Sequence, residues 1–160
     1  MEKLLKKIYN SKKTSSTLKI ISHASVFISM LSYVLIIALL YKREPMSAVR
    51  AVFATAIPFV IVSVARLLIN APRPYELYDF YEVKPKEKSG QSFPSRHVFS
   101  AFLIATVSFS VSIPLMIANI IIGIAIAVSR VLLGMHFIRD VACGALIGIV
   151  SGIVGIVILL

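Results

Sequence analysis

Two histidines and one aspartate in the second half of the chain have residue types and spacing that suit nucleophilic and acid–base chemistry. His136 and Asp140 are four residues apart, which predicts that they share one face of a helix. A carboxylate bonded to one imidazole nitrogen fixes the tautomer and makes the other nitrogen a better nucleophile. His97 lies in a different stretch, from which it is expected to protonate a leaving oxygen and later to activate water.

Arginines accompany these residues, at Arg66, Arg73, Arg96 and Arg130. Neighbouring cations repel one another unless an anion joins them, and the planar guanidinium group matches phosphate oxygens with paired donors. Ser95 and the first amide groups of the helix that follows it add further donors, and the helix dipole favours an anion there. The pattern therefore predicts a phosphate site in which arginines stabilise the phosphoryl group during in-line transfer to His136.

The residue types around this site do not favour a metal or another cofactor. The few carboxylates near it do not form a pattern typical of a magnesium site. Cys143 is the only cysteine, so the chain has neither a Cys–His metal cluster nor an internal disulfide. We therefore expect chemistry without a metal and without a cofactor.

The elements that must position these residues are apolar helices. The chain of 160 residues is 58% hydrophobic, with a mean hydropathy of +0.91, and long runs almost free of charge are typical of membrane spans. We expect an all-α integral membrane bundle of about five transmembrane helices, over residues 20–41, 47–69, 97–112, 115–133 and 136–160. Residues 1–19 form a basic segment with a short amphipathic helix, and residues 20–160 form one membrane domain.

The order of the spans predicts that the distant polar residues meet. Residues 71–95 connect the second and third spans, and the turn at Gly134 connects the fourth and fifth, so both lie on the same side of the membrane. Within the last span, glycines recur every four residues, at Gly144, Gly148 and Gly152. This stripe of small residues indicates close helix packing and has no catalytic role.

The formal net charge of +10 is explained better by the membrane than by nucleic acid. The lysines cluster at the N-terminus and in the loop around Lys84 to Lys88, where they suit anionic headgroups and set topology. We expect membrane lipids and a lipid phosphate substrate as partners, and no nucleic acid. A basic N-terminus favours a cytoplasmic location, which places the site on the cytoplasmic side of what we expect to be a bacterial inner membrane.

Three groups of these residues resemble the signature motifs of the type-2 phosphatidic acid phosphatase family, which shares its site with vanadium-dependent haloperoxidases and some bacterial acid phosphatases. The groups are Arg66 with Arg73-Pro74, then Pro94-Ser95-x-His97, then Ser129-Arg130-x5-His136-x3-Asp140. The resemblance implies a membrane phosphatase with His136 as nucleophile, Asp140 orienting it and His97 as acid. It also implies phosphate binding by Arg66, Arg73, Ser95 and Arg130.

The sequence departs from the family pattern at two motif positions. Lysine usually stands at the position of Arg66, and glycine usually stands at the position of Arg96. Glycine lets the backbone approach a phosphate closely, whereas arginine adds bulk and charge that either point away or reach a second phosphate or a headgroup. Lipid enzymes of the family also often have six spans, and this chain is expected to have five.

Other functions and several substrates stay open from the sequence. A catalytically silent lipid-phosphate binding protein is favoured only by Arg96. A transporter that uses the arginines as an anion site is disfavoured because no inverted repeat is visible. Haloperoxidase chemistry is disfavoured by the small, membrane-buried chain. Phosphatidic acid, phosphatidylglycerol phosphate and an isoprenoid diphosphate are all candidate substrates.

Overall fold

The computed structural model describes residues 2–78 and 89–159, and within these ranges the regular structure is entirely helical. The predicted all-α fold is confirmed. The helices are α1 (Glu2–Asn10), α2 (Lys12–Arg43), α3 (Pro45–Ile69), α4 (Pro74–Leu77), α5 (Arg96–Ser108), α6 (Ile113–Leu132) and α7 (Ile138–Leu159).

Four of these helices, α2, α3, α6 and α7, are long and apolar enough to cross a bilayer. Helix α5 has 13 residues, a length of roughly 20 Å, which is less than the roughly 30 Å of a hydrocarbon core. It lies at the centre of the bundle, packed mainly against α7 and α6. The segment predicted as the third span is therefore a short helix enclosed by longer ones, with Val98, Phe99 and Val107 fully buried.

The N-terminal region differs from the prediction in where the first long helix begins. Ser11 separates α1 from α2, and its hydroxyl accepts a hydrogen bond from the Thr14 amide at 3.4 Å. Because this N-cap starts α2 at Lys12, the second half of the predicted basic segment belongs to the first long helix. The short amphipathic helix predicted near the N-terminus is α1, which buries Leu5.

The glycine stripe of α7 contacts α5, as its spacing predicts. A Cβ atom at Gly144 would lie 2.7 Å from the Ser95 carbonyl oxygen, and one at Gly148 would lie 2.4 Å from that of Phe99. Both distances are shorter than any side chain tolerates, so the two helix backbones approach this closely only because these residues are glycines. The contact fixes the start of α7 beside the start of α5.

Polar side chains connect the helices in the half of the bundle where α2 and α5 end. Asn119 of α6 donates to the hydroxyls of Ser32 in α2 at 2.8 Å and Ser108 in α5 at 2.9 Å. Arg43, at the end of α2, donates to the main-chain carbonyls of Ser110 at 3.1 Å and Val111 at 3.2 Å. Hydrogen bonds between helices stabilise such a bundle because lipid tails offer polar groups no partners.

Candidate active site

The predicted site residues meet at the other end of the bundle, where α3 and α6 end and α5 and α7 begin. A cavity of about 470 Å³ opens there. Six of the predicted residues line it: Arg66, Arg73, Arg96, His97, Arg130 and His136. The other two, Ser95 and Asp140, are fully buried. The predicted convergence of the distant polar segments is therefore present in the structure.

His136 lies in the bend between α6 and α7, and the prediction that it shares a helix with Asp140 is wrong. Helix α6 ends at Leu132, and Gly134 reverses the chain with a φ of 68°. The amides of Met135 and His136 then both donate to the Arg130 carbonyl, at 3.0 and 3.3 Å. Since α7 begins only at Ile138, the imidazole is positioned by this turn and is 3% exposed.

Ser92 stands between the histidine and the aspartate, a contact that the sequence analysis missed. The Nδ1 atom of His136 is 3.8 Å from Oδ2 of Asp140, beyond hydrogen-bond distance. The hydroxyl of Ser92 donates to that same Oδ2 at 2.5 Å, and its oxygen is 3.3 Å from Nδ1 of His136. Ser92 is fully buried, so it joins the two residues away from solvent.

This arrangement fixes the protonation of the imidazole ring. The single hydroxyl proton of Ser92 is directed to Asp140, because a carboxylate oxygen only accepts. The oxygen of Ser92 is then left to accept a proton from Nδ1 of His136. The tautomer with the proton on Nδ1 leaves the lone pair on Nε2, which is the form needed for nucleophilic attack.

Burial lowers the pKa of His136, because removing an imidazole from water disfavours its charged form. The positive charges of Arg73 and Arg66 act in the same direction, and Asp140 opposes them. The net direction keeps the imidazole neutral at neutral pH. A neutral imidazole is able to attack phosphorus, whereas a protonated one is not.

Ser95 links the start of α5 to the start of α7. Its amide donates to the Asp140 carbonyl at 2.9 Å. Its hydroxyl is buried and has no hydrogen-bond partner among residues 2–78 and 89–159. A buried hydroxyl without a partner is costly, and a phosphate oxygen at this helix N-terminus would satisfy it.

Three arginines of the cavity also hold the polypeptide around it. The terminal nitrogens of Arg66 donate to the carbonyls of Pro94 and Gln91. Nε of Arg73 donates to the Gly90 carbonyl at 2.9 Å, and a terminal nitrogen of Arg130 donates to the sulfur of Met135 at 3.0 Å. The guanidinium groups are thus fixed in orientation before any substrate binds.

Glu76 is a second residue whose position the sequence analysis did not single out. One oxygen of its carboxylate accepts from the Arg73 amide at 3.0 Å, and the other accepts from the Gly90 amide at 2.6 Å. The side chain therefore connects the segment after α3 to the segment before α5. It brings Arg73 and the stretch of chain that carries Ser92 to the same place.

Arg96 occupies a different part of the cavity wall from the other arginines. Its guanidinium carbon lies 5.6 Å from the ring centre of Phe59, in cation–π geometry, and the side chain is exposed. The adjoining wall comes from α2, with the apolar side chains of Val26, Phe27 and Met30. The cavity therefore has a cationic end and an apolar side.

His23 also lines the cavity, although its sequence neighbours gave no reason to expect this. Its Nδ1 atom lies 2.8 Å from the Lys19 carbonyl oxygen. A carbonyl oxygen only accepts, so Nδ1 carries the proton, and Nε2 is the remaining polar atom of the ring. The sequence signal that could have found it is helical spacing, since His23, Phe27 and Met30 fall on one face of α2.

The side chains around the cavity do not form a typical metal centre. Within residues 2–78 and 89–159, no group of three or more His, Cys, Asp or Glu side chains is close enough to hold a metal ion. Cys143 is a free thiol. The polar side chains around the cavity are cationic or neutral apart from Asp140, and this charge suits an anionic ligand.

The comparisons with known proteins agree with this geometry. The sequence profile of the PAP2 superfamily matches residues 47–159, which contain all the predicted site residues. Two crystal structures share the fold. LpxE of Aquifex aeolicus is 23% identical with a TM-score of 0.70, over 96% of this chain and 93% of that one. The transmembrane PAP2-type phosphatidylglycerolphosphate phosphatase of Bacillus subtilis is 21% identical with a TM-score of 0.62, over 94% and 88%. None of the curated proteins matches the sequence.

Proposed function

The chain belongs to the PAP2 superfamily, and from this premise we propose that it hydrolyses a lipid phosphate through a phosphohistidine on His136. The predicted resemblance is confirmed by the family match. The predicted integral membrane bundle is confirmed by the four helices able to cross a bilayer and by the fold shared with a transmembrane PAP2-type protein. The observation that carries the proposal is the cavity itself. It brings four arginines together with His97 and His136, and a buried serine and aspartate lie behind the proposed nucleophile.

In the first step, Nε2 of His136 attacks phosphorus while the bond to the lipid oxygen breaks. Arg66, Arg73 and Arg130 stabilise the charge on the equatorial oxygens. The Ser95 hydroxyl and the first amides of α5 add donors to the same phosphate. His97 donates a proton to the departing oxygen, so the lipid leaves as an alcohol or as a protonated phosphate.

In the second step, water attacks the phosphohistidine. His97, which lost its proton in the first step, takes a proton from the water. The phosphorus–nitrogen bond breaks, orthophosphate leaves, and the electron pair returns to Nε2. Throughout, Ser92 and Asp140 hold the proton on Nδ1 and balance the positive charge that the ring acquires when it is phosphorylated.

The cavity favours an amphiphilic substrate. Its cationic end suits a phosphate, and Val26, Phe27 and Met30 provide an apolar side where a lipid chain fits. LpxE and the Bacillus subtilis protein share this fold, and the Bacillus subtilis protein is a phosphatase of a phospholipid phosphate, phosphatidylglycerolphosphate. We propose a membrane lipid phosphate as the substrate class.

The test is phosphate release by the purified protein in detergent with EDTA present, on lipid monophosphates and diphosphates. We expect release by the wild-type protein and at least about a thousandfold less by His136→Ala, the order of loss known for removal of a catalytic nucleophile. Rapid quenching with a substrate labelled in the phosphate should trap a base-stable, acid-labile phosphoprotein that His136→Ala lacks. No release from any lipid by folded protein would instead support the silent binding protein.

A further inference from the structure

We propose that Arg96 is the contact for a second phosphate group of the substrate, placed between the scissile phosphate and the lipid chain. This inference rests on the proposed function and names the class of substrate more closely. The other three arginines surround His136 and donate to neighbouring groups of the chain, whereas the described contact of Arg96 is the ring of Phe59.

The position of Phe59 shows which way Arg96 reaches. Phe59 precedes Arg66 by seven residues on α3, about 10 Å along the helix axis towards the middle of the bilayer. Arg66 lies at the end of α3 that borders the phosphate cradle. The guanidinium group of Arg96 is therefore on the membrane side of the cradle, next to the apolar wall formed by Val26, Phe27 and Met30. A lipid that places its terminal phosphate at His136 and its chain on this apolar wall brings the groups between them near Arg96.

The charge of the cavity is larger than one phosphate needs. Its four arginines carry four positive charges, of which the buried Asp140 carboxylate offsets at most one. A phosphate monoester carries at most about two negative charges, and a second phosphate adds at least one more. Like charges gathered in one cavity repel one another without an anionic partner, and the second phosphate supplies that partner.

The volume agrees with a substrate of this size. At about 470 Å³, the cavity is within the range of sites that hold a whole small molecule. The guanidinium carbon of Arg96 lies over the ring of Phe59, and a ring face attracts the charge without being an oxygen acceptor for the N–H donors, which suit phosphate oxygens. The glycine usual in the family at this position offers no such donor.

The chemistry balances for a diphosphate. Nε2 of His136 bonds to the terminal phosphorus while the bond from that phosphorus to the bridging oxygen breaks. The electron pair stays on the bridging oxygen, which leaves as part of the lipid monophosphate held by Arg96. Water then releases orthophosphate from the histidine. A phosphodiester spaced from the scissile phosphate by a glycerol unit offers Arg96 the same chemistry, and the experiment distinguishes the two.

The test compares kcat/KM for three lipids in detergent: a monophosphate, a diphosphate and a monophosphate joined through glycerol to a phosphodiester. In Arg96→Gln we expect the ratio of a two-phosphate substrate to the monophosphate to fall about 10- to 100-fold, as for the loss of one charge-assisted contact. The two-phosphate lipid whose ratio falls identifies the spacing. Arg50→Gln, which removes the same charge near the opposite end of α3, should keep the wild-type ratio. An unchanged ratio in Arg96→Gln would overturn the proposal.

A second measurement separates this inference from the proposed function. Binding of inorganic pyrophosphate and of orthophosphate is measured by calorimetry on the wild-type and Arg96→Gln proteins, without any turnover. We expect the preference for pyrophosphate to fall by about tenfold or more in the variant. If no lipid is hydrolysed but this preference depends on Arg96, the function is wrong and the subsite stands. If lipids are hydrolysed and neither ratio depends on Arg96, the subsite is wrong and the function stands.

Discussion

The amide of Ser95 donates to the main-chain carbonyl of Asp140 at 2.9 Å. This hydrogen bond joins the residue immediately before α5 to the first turn of α7. This bond connects the helix terminus that is proposed to bind phosphate with Asp140, which is proposed to orient the nucleophile. Only backbone atoms take part, so the link depends on how closely the two helices approach. That approach is set by Gly144, directly opposite Ser95.

Gly144→Ala is therefore expected to damage the site without touching a catalytic side chain. The added methyl group would lie 2.7 Å from the Ser95 carbonyl oxygen, a backbone atom that cannot rotate away. We expect kcat to fall by more than about tenfold and the melting temperature in detergent to fall by several degrees, since overpacking commonly costs about 1–3 kcal/mol. Gly123→Ala is the matched control, because the atoms nearest to its methyl group would be those of the Phe102 ring, a side chain, at 3.2 Å. Equal effects of both substitutions would contradict this account.

Ser92→Ala should lower kcat by about 10- to 100-fold with little change in KM, because it removes the hydroxyl between Asp140 and His136. A charge-assisted hydrogen bond of this kind contributes about 1.5–3 kcal/mol. Steady-state kinetics on one lipid phosphate would measure the loss, and Ser92→Thr, which keeps the hydroxyl, should recover part of the rate. Ser151→Ala, on α7 away from the cavity, should behave as wild type. A change in KM with kcat unchanged would show that Ser92 does not orient His136.

Asp140→Asn is expected to reduce kcat by about two to four decades, from loss of tautomer control. The carboxamide keeps the size of the side chain but removes the charge that is proposed to balance phosphorylated His136 through Ser92. The measurement is phosphate release, with the circular dichroism spectrum as the check on folding. A loss of kcat below about twofold would show that Asp140 does not orient His136.

The pH dependence should follow from the lowered pKa of His136. The neutral imidazole is the proposed nucleophile, so activity is expected above its pKa and should be lost as the pH falls through it. Burial moves this pKa below the usual value of about 6.5. The acidic limb of kcat/KM against pH is therefore expected to lie below about pH 6.5. An acidic midpoint clearly above that value would show that the ring is not buried as described.

The membrane side of the site is tested by labelling. In a Cys143→Ala background, Ser89→Cys reports on the site end of the bundle and Met46→Cys reports on the turn between α2 and α3 at the other end. With a cytoplasmic N-terminus, an impermeant maleimide added to intact cells should label the second variant and label the first only after permeabilisation. The reverse result would place the site on the outer face.

The sequence was sufficient to predict the long helices and the convergence of the motifs, and the reasons are physical. Apolar runs must span the membrane, and an odd or even number of crossings decides which loops share a side. The predicted spans 47–69 and 115–133 therefore agree closely with α3 and α6. The length of α5 could not be predicted this way, because an apolar run of a given composition suits a short helix enclosed by protein as well as a span.

The details of the site were less accessible from sequence because they depend on contacts between distant segments. The four-residue spacing of His136 and Asp140 suggested a shared helix, but Gly134 and the late start of α7 place the histidine in a turn. Ser92 is 48 residues from Asp140 in the chain, so no local pattern marks it as their bridge.

The carboxylate of Glu76 spans the base of the segment between Arg73 and Gly90, because it accepts from both of their amides. These two hydrogen bonds set the distance between Arg73 and Gly90, whatever the number of residues that separate them in the chain. We expect a glycine–serine linker in place of residues 80–87 to retain phosphate release, and Glu76→Gln to impair it. The opposite pattern would show that the two hydrogen bonds of Glu76 do not set this distance.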